Sequence, residues 1–201
     1  MSDLPPASEG SSASGSFDRG CLVLQILKRL FPDKLLFWIL VPVLLALDYW
    51  TKHAIVLSVE NTGDLLVNGA SPVIWVFEPW FGLVSVRNTG GPWGMLASLP
   101  GILQGARFIA FLVILYLLAA TPRHAWLQIV ALAMVMGGAL GNILDTLLYG
   151  WVRDFLYFDL GFPPADPWPA FNVADSLICL GVVFLGIALF IDGRRAKERE
   201  G

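Results

Sequence analysis

Between Gly137 and Ser176 the chain reads GGALGNILDTLLYGWVRDFLYFDLGFPPADPWPAFNVADS, and this stretch holds the side chains best suited to chemistry. Asn142 and Asp145 end one apolar run and Asp154 follows it. Asn172 and Asp175 open another run that stays free of charge until Asp192. A carboxylate at the edge of a long apolar segment is expensive, roughly 2.5–3.5 kcal/mol at a bilayer centre on insertion scales and less towards the interface. Two carboxylates on separate elements can share one proton, because like charges a few ångströms apart cannot both ionise. The ionised member can take a proton from water while the neutral one polarises or protonates a carbonyl. That is peptide hydrolysis with neither a covalent intermediate nor a metal. The histidines are His53 and His124 alone, which offer no zinc cluster and no serine–histidine pair, so no cofactor is expected. Chemistry does not choose the pair among Asp145, Asp154, Asp159, Asp166 and Asp175. Asp159 and Asp166 fall in a Gly/Pro-rich loop and are expected to be solvated. Asp175 could instead be the third residue of a helix capped by Asn172. Asp145, three residues after Asn142 on one helix face, could be structural.

The elements that must position these groups are membrane spans. The 201 residues are 56% hydrophobic and 14% charged, against about 25% charged in soluble domains. The fold class expected is an all-α integral membrane protein of one domain, with four transmembrane helices and a small extracytoplasmic β-sheet. Spans are expected at about 35–59, 102–120, 126–149 and 173–191, each long enough to cross a ~30 Å core at ~1.5 Å per residue. Residues 1–20, rich in Ser, Gly and Pro, read as a disordered tail. Residues 21–34 read as an interfacial helix, and 193–201 as a basic tail. No apolar region precedes residue 20, so no cleavable signal peptide is expected. In the 60–100 region, Val73–Phe77 and Phe81–Val86 read as strands joined at Glu78-Pro79-Trp80. The glycine loop RNTGGPWGML follows. Trp75, Trp80 and Trp93 would rest this sheet at the membrane surface. Gly137, Gly138 and Gly141 would let a neighbouring helix approach closely. A net charge of −3 without a basic stripe excludes a nucleic-acid partner. Cys21 and Cys179 have neither metal nor disulfide spacing, and Cys179 reads as a small core residue.

Positive charge sets the orientation. Arg19, Lys28, Arg29 and Lys34 precede span one, Arg123 lies in the short loop after span two, and Arg194, Arg195, Lys197 and Arg199 follow span four. With four spans all three groups fall on one side, which is then cytoplasmic. Asp48, Asn88 with its glycines, Asn142, Asp145, Asp154, Asn172 and Asp175 all converge at the opposite, outer face. Asp48 and Lys52, four apart in span one, are either an interfacial ion pair worth a few tenths of a kcal/mol or a polar face pointing into the bundle. A catalytic or binding site at the outer face is the simplest account of the convergence.

Four motifs in order over about residues 35–192 resemble the lipoprotein signal peptidases (signal peptidase II), intramembrane aspartic peptidases of bacteria. They are DYWTK from Asp48, VRNTGGPWG from Val86, GGALGNILDTLLYGWVRDFL from Gly137 and FNVADS from Phe171. The resemblance implies a catalytic dyad of Asp154 and Asp175. It also implies supporting roles for Asp48, Lys52, Asn88, Gly90, Asn142, Asp145 and Asn172. It further implies that diacylglyceryl-modified prolipoproteins are the substrates, cut just before the lipid-bearing cysteine. The enzyme would lie in the bacterial inner membrane with both termini cytoplasmic, surrounded by membrane lipids, and a monomer is expected. Thr146 departs from the pattern, since the family usually has Arg there. Arg153, just before Asp154, is the candidate to replace that charge. Pro92-Trp93 also depart, and the 155–170 connection looks elaborated. Two other readings stand beside the peptidase. One is a relative that binds precursors without cutting, motivated by Thr146. The other is a small proton-coupled carrier, against which stand the one-sided placement of the polar residues and the lack of internal repeats.

Overall fold

The computed structural model of the chain describes residues 34–60, 73–90, 99–162 and 167–200. The expected tail and interfacial helix up to residue 33, Cys21, Pro92, Trp93 and Asp166 lie outside them. Four long helices carry the architecture: α1 (Leu35–Glu60), α2 (Pro100–Ala120), α3 (Trp126–Tyr149) and α4 (Val173–Glu200). All four are long and apolar enough to cross a membrane, and they coincide with the expected spans. Helix α4 runs past the last apolar residues into the basic segment as one continuous helix.

Helix α3 is the hub. It packs against α1, α2 and α4, and most of its length is buried. Its small residues make that possible. A Cβ on Gly137 would meet Leu44 of α1, one on Gly138 would meet the Ala174 carbonyl of α4, and one on Gly141 would press on the Asp48 carboxylate. Glycine is thus required for close approach on two sides of the same helix. At the end away from the sheet, Phe37, Val41, Ile114, Leu118, Ile129, Leu132, Ala133 and Met136 form the apolar core. The outward faces of α1, α2 and α4 are apolar and exposed, with Ile39, Val43, Phe108, Leu112, Val183 and Phe190 among them. These are surfaces for lipid, not for water.

At the other end sits a four-stranded antiparallel sheet in the order β1 (Ile74–Phe77), β2 (Phe81–Asn88), β3 (Val152–Phe158), β4 (Trp168–Phe171). The first two strands are the expected hairpin, with Trp80 N donating to Phe77 O at the turn (2.8 Å). The last two are a correction, because the segment between spans three and four reads as a loop in the sequence. Val152, Arg153, Asp154 and Phe155 are buried consecutively, so β3 lacks the alternation by which a half-exposed strand is recognised. β4 has four residues, one of them Pro169, which suits an edge strand. Asp159, expected to be solvated, is partly buried: its side chain accepts from Gly161 N (3.0 Å) and its own N–H donates to Trp80 O (3.1 Å). Cys179 is also corrected. It is exposed on α4, where it lines an open cleft rather than the core.

Candidate active site

The polar residues meet where the sheet caps the bundle. Gly150 ends α3 in the left-handed conformation (φ 84°), and this turns the chain sharply into β3. β3 pairs with β2 so that Asp154 lies opposite Val86, two residues before Asn88. Asp154 is 1% exposed. Asn88 Nδ2 donates to its Oδ2 (2.8 Å) and Asn172 Nδ2 to its Oδ1 (2.6 Å). Asp175 is held by Asn142 Nδ2 on Oδ1 (2.8 Å) and by the Asn172 backbone N–H on Oδ2 (3.2 Å). In return Asp175 N donates to Asn172 Oδ1 (2.9 Å), which makes Asn172 and Asp175 a reciprocal cap of α4. The capping role foreseen for Asp175 is therefore present. It also aims the carboxylate, since one asparagine serves both aspartates.

Each asparagine is oriented by a further partner. Gly90 N donates to Asn88 Oδ1 (3.0 Å), which leaves the Asn88 amine side for Asp154. Lys52 Nζ donates to Asn142 Oδ1 (3.0 Å), which turns the Asn142 amine to Asp175. Lys52 is fully buried; it lies 2.8 Å from Asp48 Oδ2 and 3.4 Å from Asp145 Oδ2. Asp48 Oδ1 accepts from Ala174 N at the start of α4 (2.8 Å). The Asp48–Lys52 pair is thus the polar face directed into the bundle. Asp145 accepts from Arg153 twice over: backbone N to Oδ2 (2.9 Å), and Nη2 to Oδ1 (2.8 Å). The Arg153 guanidinium lies over the rings of Tyr149 (4.4 Å) and Tyr49 (5.5 Å). All nine residues singled out in the sequence belong to this one network.

Electrostatics separates Asp154 from an ordinary carboxyl. Burial, and next the charge of Asp175, push its pKa up to about 7. Asn88, Asn172 and Lys52 act in the opposite direction.

Arg107 of α2 is the residue that sequence reasoning missed. Its Nη1 donates to Thr146 Oγ1 (2.9 Å), and its charge acts on Asp175 and Asp154. The available signal was a lone arginine inside an otherwise uncharged span, a placement that is costly in a membrane. A cleft of about 600 Å³ opens between α2 and α4 beside the aspartates, lined by Leu103, Arg107, Asp175, Ile178, Cys179 and Trp168 among others. Asp175 lines this largely apolar cleft while Asp154 is buried, and Asn172 connects the two carboxylates.

Fold and site together define a class: a four-helix integral membrane protein with two bridged carboxylates, one buried and one half-buried, under a small capping sheet. The model of the signal peptidase (SPase) II family, Peptidase_A8, matches residues 40–191, and the chain belongs to that family of peptidases. It is 33% identical to the lipoprotein signal peptidase of Bacillus pumilus over 162 residues, 81% of this chain and 97% of that one. It is 35% identical to that of Desulfitobacterium hafniense over 167 residues, 83% of this chain and the whole of that one. Among solved structures it resembles a bacterial membrane enzyme determined by the in meso method at 2.3 Å, with a TM-score of 0.64 and 26% identity over 78% of this chain and 88% of that one.

Proposed function

We propose that the chain is an aspartic endopeptidase that removes signal peptides from diacylglyceryl-modified prolipoproteins by cutting just before the lipid-bearing cysteine, with Asp154 and Asp175 as its catalytic pair. The observation that carries this reading is the pair itself: two carboxyls on different elements, bridged by Asn172, with Asp154 raised to about 7. At mildly acidic to neutral pH the pair shares one proton and titrates as a unit, and in this reading Asp154 acts as its donor. Asp175 takes a proton from water, and the resulting hydroxide attacks the carbonyl carbon of the scissile bond. Asp154 gives its proton to the carbonyl oxygen, forming a neutral gem-diol. In the second step Asp175 passes its proton to the amide nitrogen while Asp154 recovers one from a diol hydroxyl. The C–N bond breaks, and the pair again holds one proton. Asn88, Asn142 and Asn172 fix the carboxyl planes. Asp48, Lys52 and Asp145 fix Asn142 and the start of α4, and Gly90 fixes Asn88.

The apolar cleft between α2 and α4 suits a lipidated peptide. Acyl chains can stay among lipids while the peptide reaches the aspartates laterally. In this reading both termini are cytoplasmic and the site lies at the outer face of a bacterial inner membrane. The test uses protein purified in detergent and a diacylglyceryl-modified prolipoprotein. Cleavage by wild type, and none by folded Asp154→Asn or Asp175→Asn, is expected. A folded wild type that binds the precursor without cutting it would replace this reading with the non-cutting relative.

A further inference from the structure

Arg107 sits in the second turn of α2, about 10 Å along the helix from its start at 1.5 Å per residue. An arginine at that depth in a span ordinarily snorkels to the interface, or faces the bundle and serves a site. Here it faces the bundle. Its Nη1 donates to Thr146 Oγ1 (2.9 Å) and, more weakly, to Gln104 Oε1 (3.4 Å). Thr146 Oγ1 in turn donates to Asn142 O on α3 (2.8 Å). Arg107 lines the large cleft beside Asp175 and also a second cavity with Thr146 and Asn88.

Charge balance gives this placement a meaning. Behind the dyad, Asp48 and Asp145 are matched by Lys52 and Arg153 in direct ion pairs. Arg153 is therefore already committed to Asp145, and it lines a different cavity from the cleft. A dyad holding one proton still carries one negative charge at the edge of a membrane. Among the described residues the hydrogen bonds of Arg107 go to two neutral side chains and to no carboxylate, and its positive charge acts first on Asp175 and then on Asp154.

We infer that Arg107 is a positioning residue of the dyad: anchored on Thr146 and Gln104, it adds from α2, beside the buried Lys52 of α1, a positive charge that helps keep one of the two aspartates ionised. The residue after Asp145, expected to be Arg in the family pattern, is here the short hydroxyl that holds Arg107 in place. This rests on the aspartic peptidase reading above.

The test is the pH profile of kcat/KM for lipidated precursor in wild type, Arg107→Gln, Arg107→Lys and the double variant Arg107→Gln/Thr146→Arg, with Asp154→Asn as the inactive reference. A nearby opposite charge lowers a carboxyl pKa by roughly 1–3 units. Arg107→Gln should therefore lose rate and move the acidic limb up by about one pH unit or more. Arg107→Lys should hold the limb near wild type, and Thr146→Arg should return it in the Gln background. Should Arg107→Gln fail to fold, Thr146→Val, which removes the anchor and keeps the charge, should move the limb in the same direction. An unmoved limb in Arg107→Gln overturns the inference, as does a uniform loss at every pH that Thr146→Arg does not restore. An unmoved limb in the fallback Thr146→Val overturns it equally. In these cases cleavage by wild type and its loss in Asp154→Asn leave the peptidase reading standing. A folded wild type that does not cleave removes both.

Discussion

Asparagine is the residue that does most to build this site, and the reason is geometric. An asparagine amide has one accepting and one donating end, so whichever partner claims the oxygen decides where the amine points. Lys52 claims the oxygen of Asn142 and Gly90 N that of Asn88, and both amines then face the aspartates. The sequence showed which residues would gather, because carboxylates and amides beside apolar runs are conspicuous. It could not show which atom meets which, since that depends on residues from five separate elements. Arg107 was missed for the opposite reason: it is the lone charge of its span, with Gln104 as its polar neighbour and no carboxylate nearby in sequence to mark it as part of a set. Two outcomes follow at this scale. With Asp154 near 7 and acting as the proton donor, cleavage should hold at mildly acidic pH and fall as pH rises through about 7. The same shift acts on stability. Folded Asp154 keeps its proton between its unfolded value near 4 and about 7, so wild type loses stability as pH rises across that window and carries the full penalty above it. Asp154→Asn has no such proton. Its activity should drop by roughly 10²–10⁴-fold, and its Tm should gain on that of wild type between pH 5 and pH 8. A parallel pH dependence of the two Tm values would contradict the assignment. Lys52→Met is the structural counterpart. It leaves Asp48 and Asp145 short of a cation in a fully buried place, which costs about 3–5 kcal/mol. A clearly lowered Tm, measured in detergent together with lost cleavage, is the expected result.

Among the elements, the four spans were legible and half of the sheet was not. Long apolar runs between charged loops define a transmembrane helix almost by themselves, and α1 to α4 fall where those runs do. β3 carries the sequence VRDFLYF, and its first four residues are buried together: Arg153 is covered by Tyr49, Tyr149 and Asp145 of α1 and α3, and Asp154 by Asn88 and Asn172. A strand buried on both faces has no period of two to read, and β4 is too short and too rich in proline and aromatics to stand out. Yet β3 is the element that delivers Asp154, so the least legible element carries half of the proposed dyad. The glycines of α3 were legible as contact residues, although not which helix each one admits. That assignment makes a sharp comparison possible. A methyl on Gly141 would run into the Asp48 carboxylate and the Ala174 side chain, both of them parts of the support behind the dyad. Gly105 on α2 has open space around it, and Ala there should be neutral or slightly stabilising, by up to about 1 kcal/mol from helix propensity. Gly141→Ala should lower both Tm and cleavage, whereas Gly105→Ala should change neither for the worse. Equal behaviour of the two variants would mean that α1 and α4 do not depend on the close approach described for them.

For the molecule as a whole, the two ends of the bundle differ in kind, and that difference sets how it must lie in a membrane. One end is closed by the apolar core around Phe37, Leu118 and Met136, with the basic residues Arg123, Arg194, Arg195 and Lys197 near it. The other end bears the sheet and all the polar residues of the site, with Trp75, Trp80 and Phe77 exposed on its outer strands. Basic flanks stay on the cytoplasmic side, and exposed tryptophans settle at the interface. In the proposed reading these features put the sheet outside and the aspartates just within the outer boundary, where water would arrive from above and a lipidated peptide from the side. Helix α2 is the part of the bundle freest to respond, because it packs mainly on α3 and forms one wall of the cleft. The orientation can be measured in intact cells with single cysteines in a background lacking Cys21 and Cys179. A cysteine at exposed Phe77 should react with a membrane-impermeant maleimide added from outside, whereas one at exposed His124 should react only after the membrane is opened. The reverse pattern would put the site in the cytoplasm, where it could not meet a precursor cut on the outer side. Labelling of both positions from outside would mean that the four helices do not all cross.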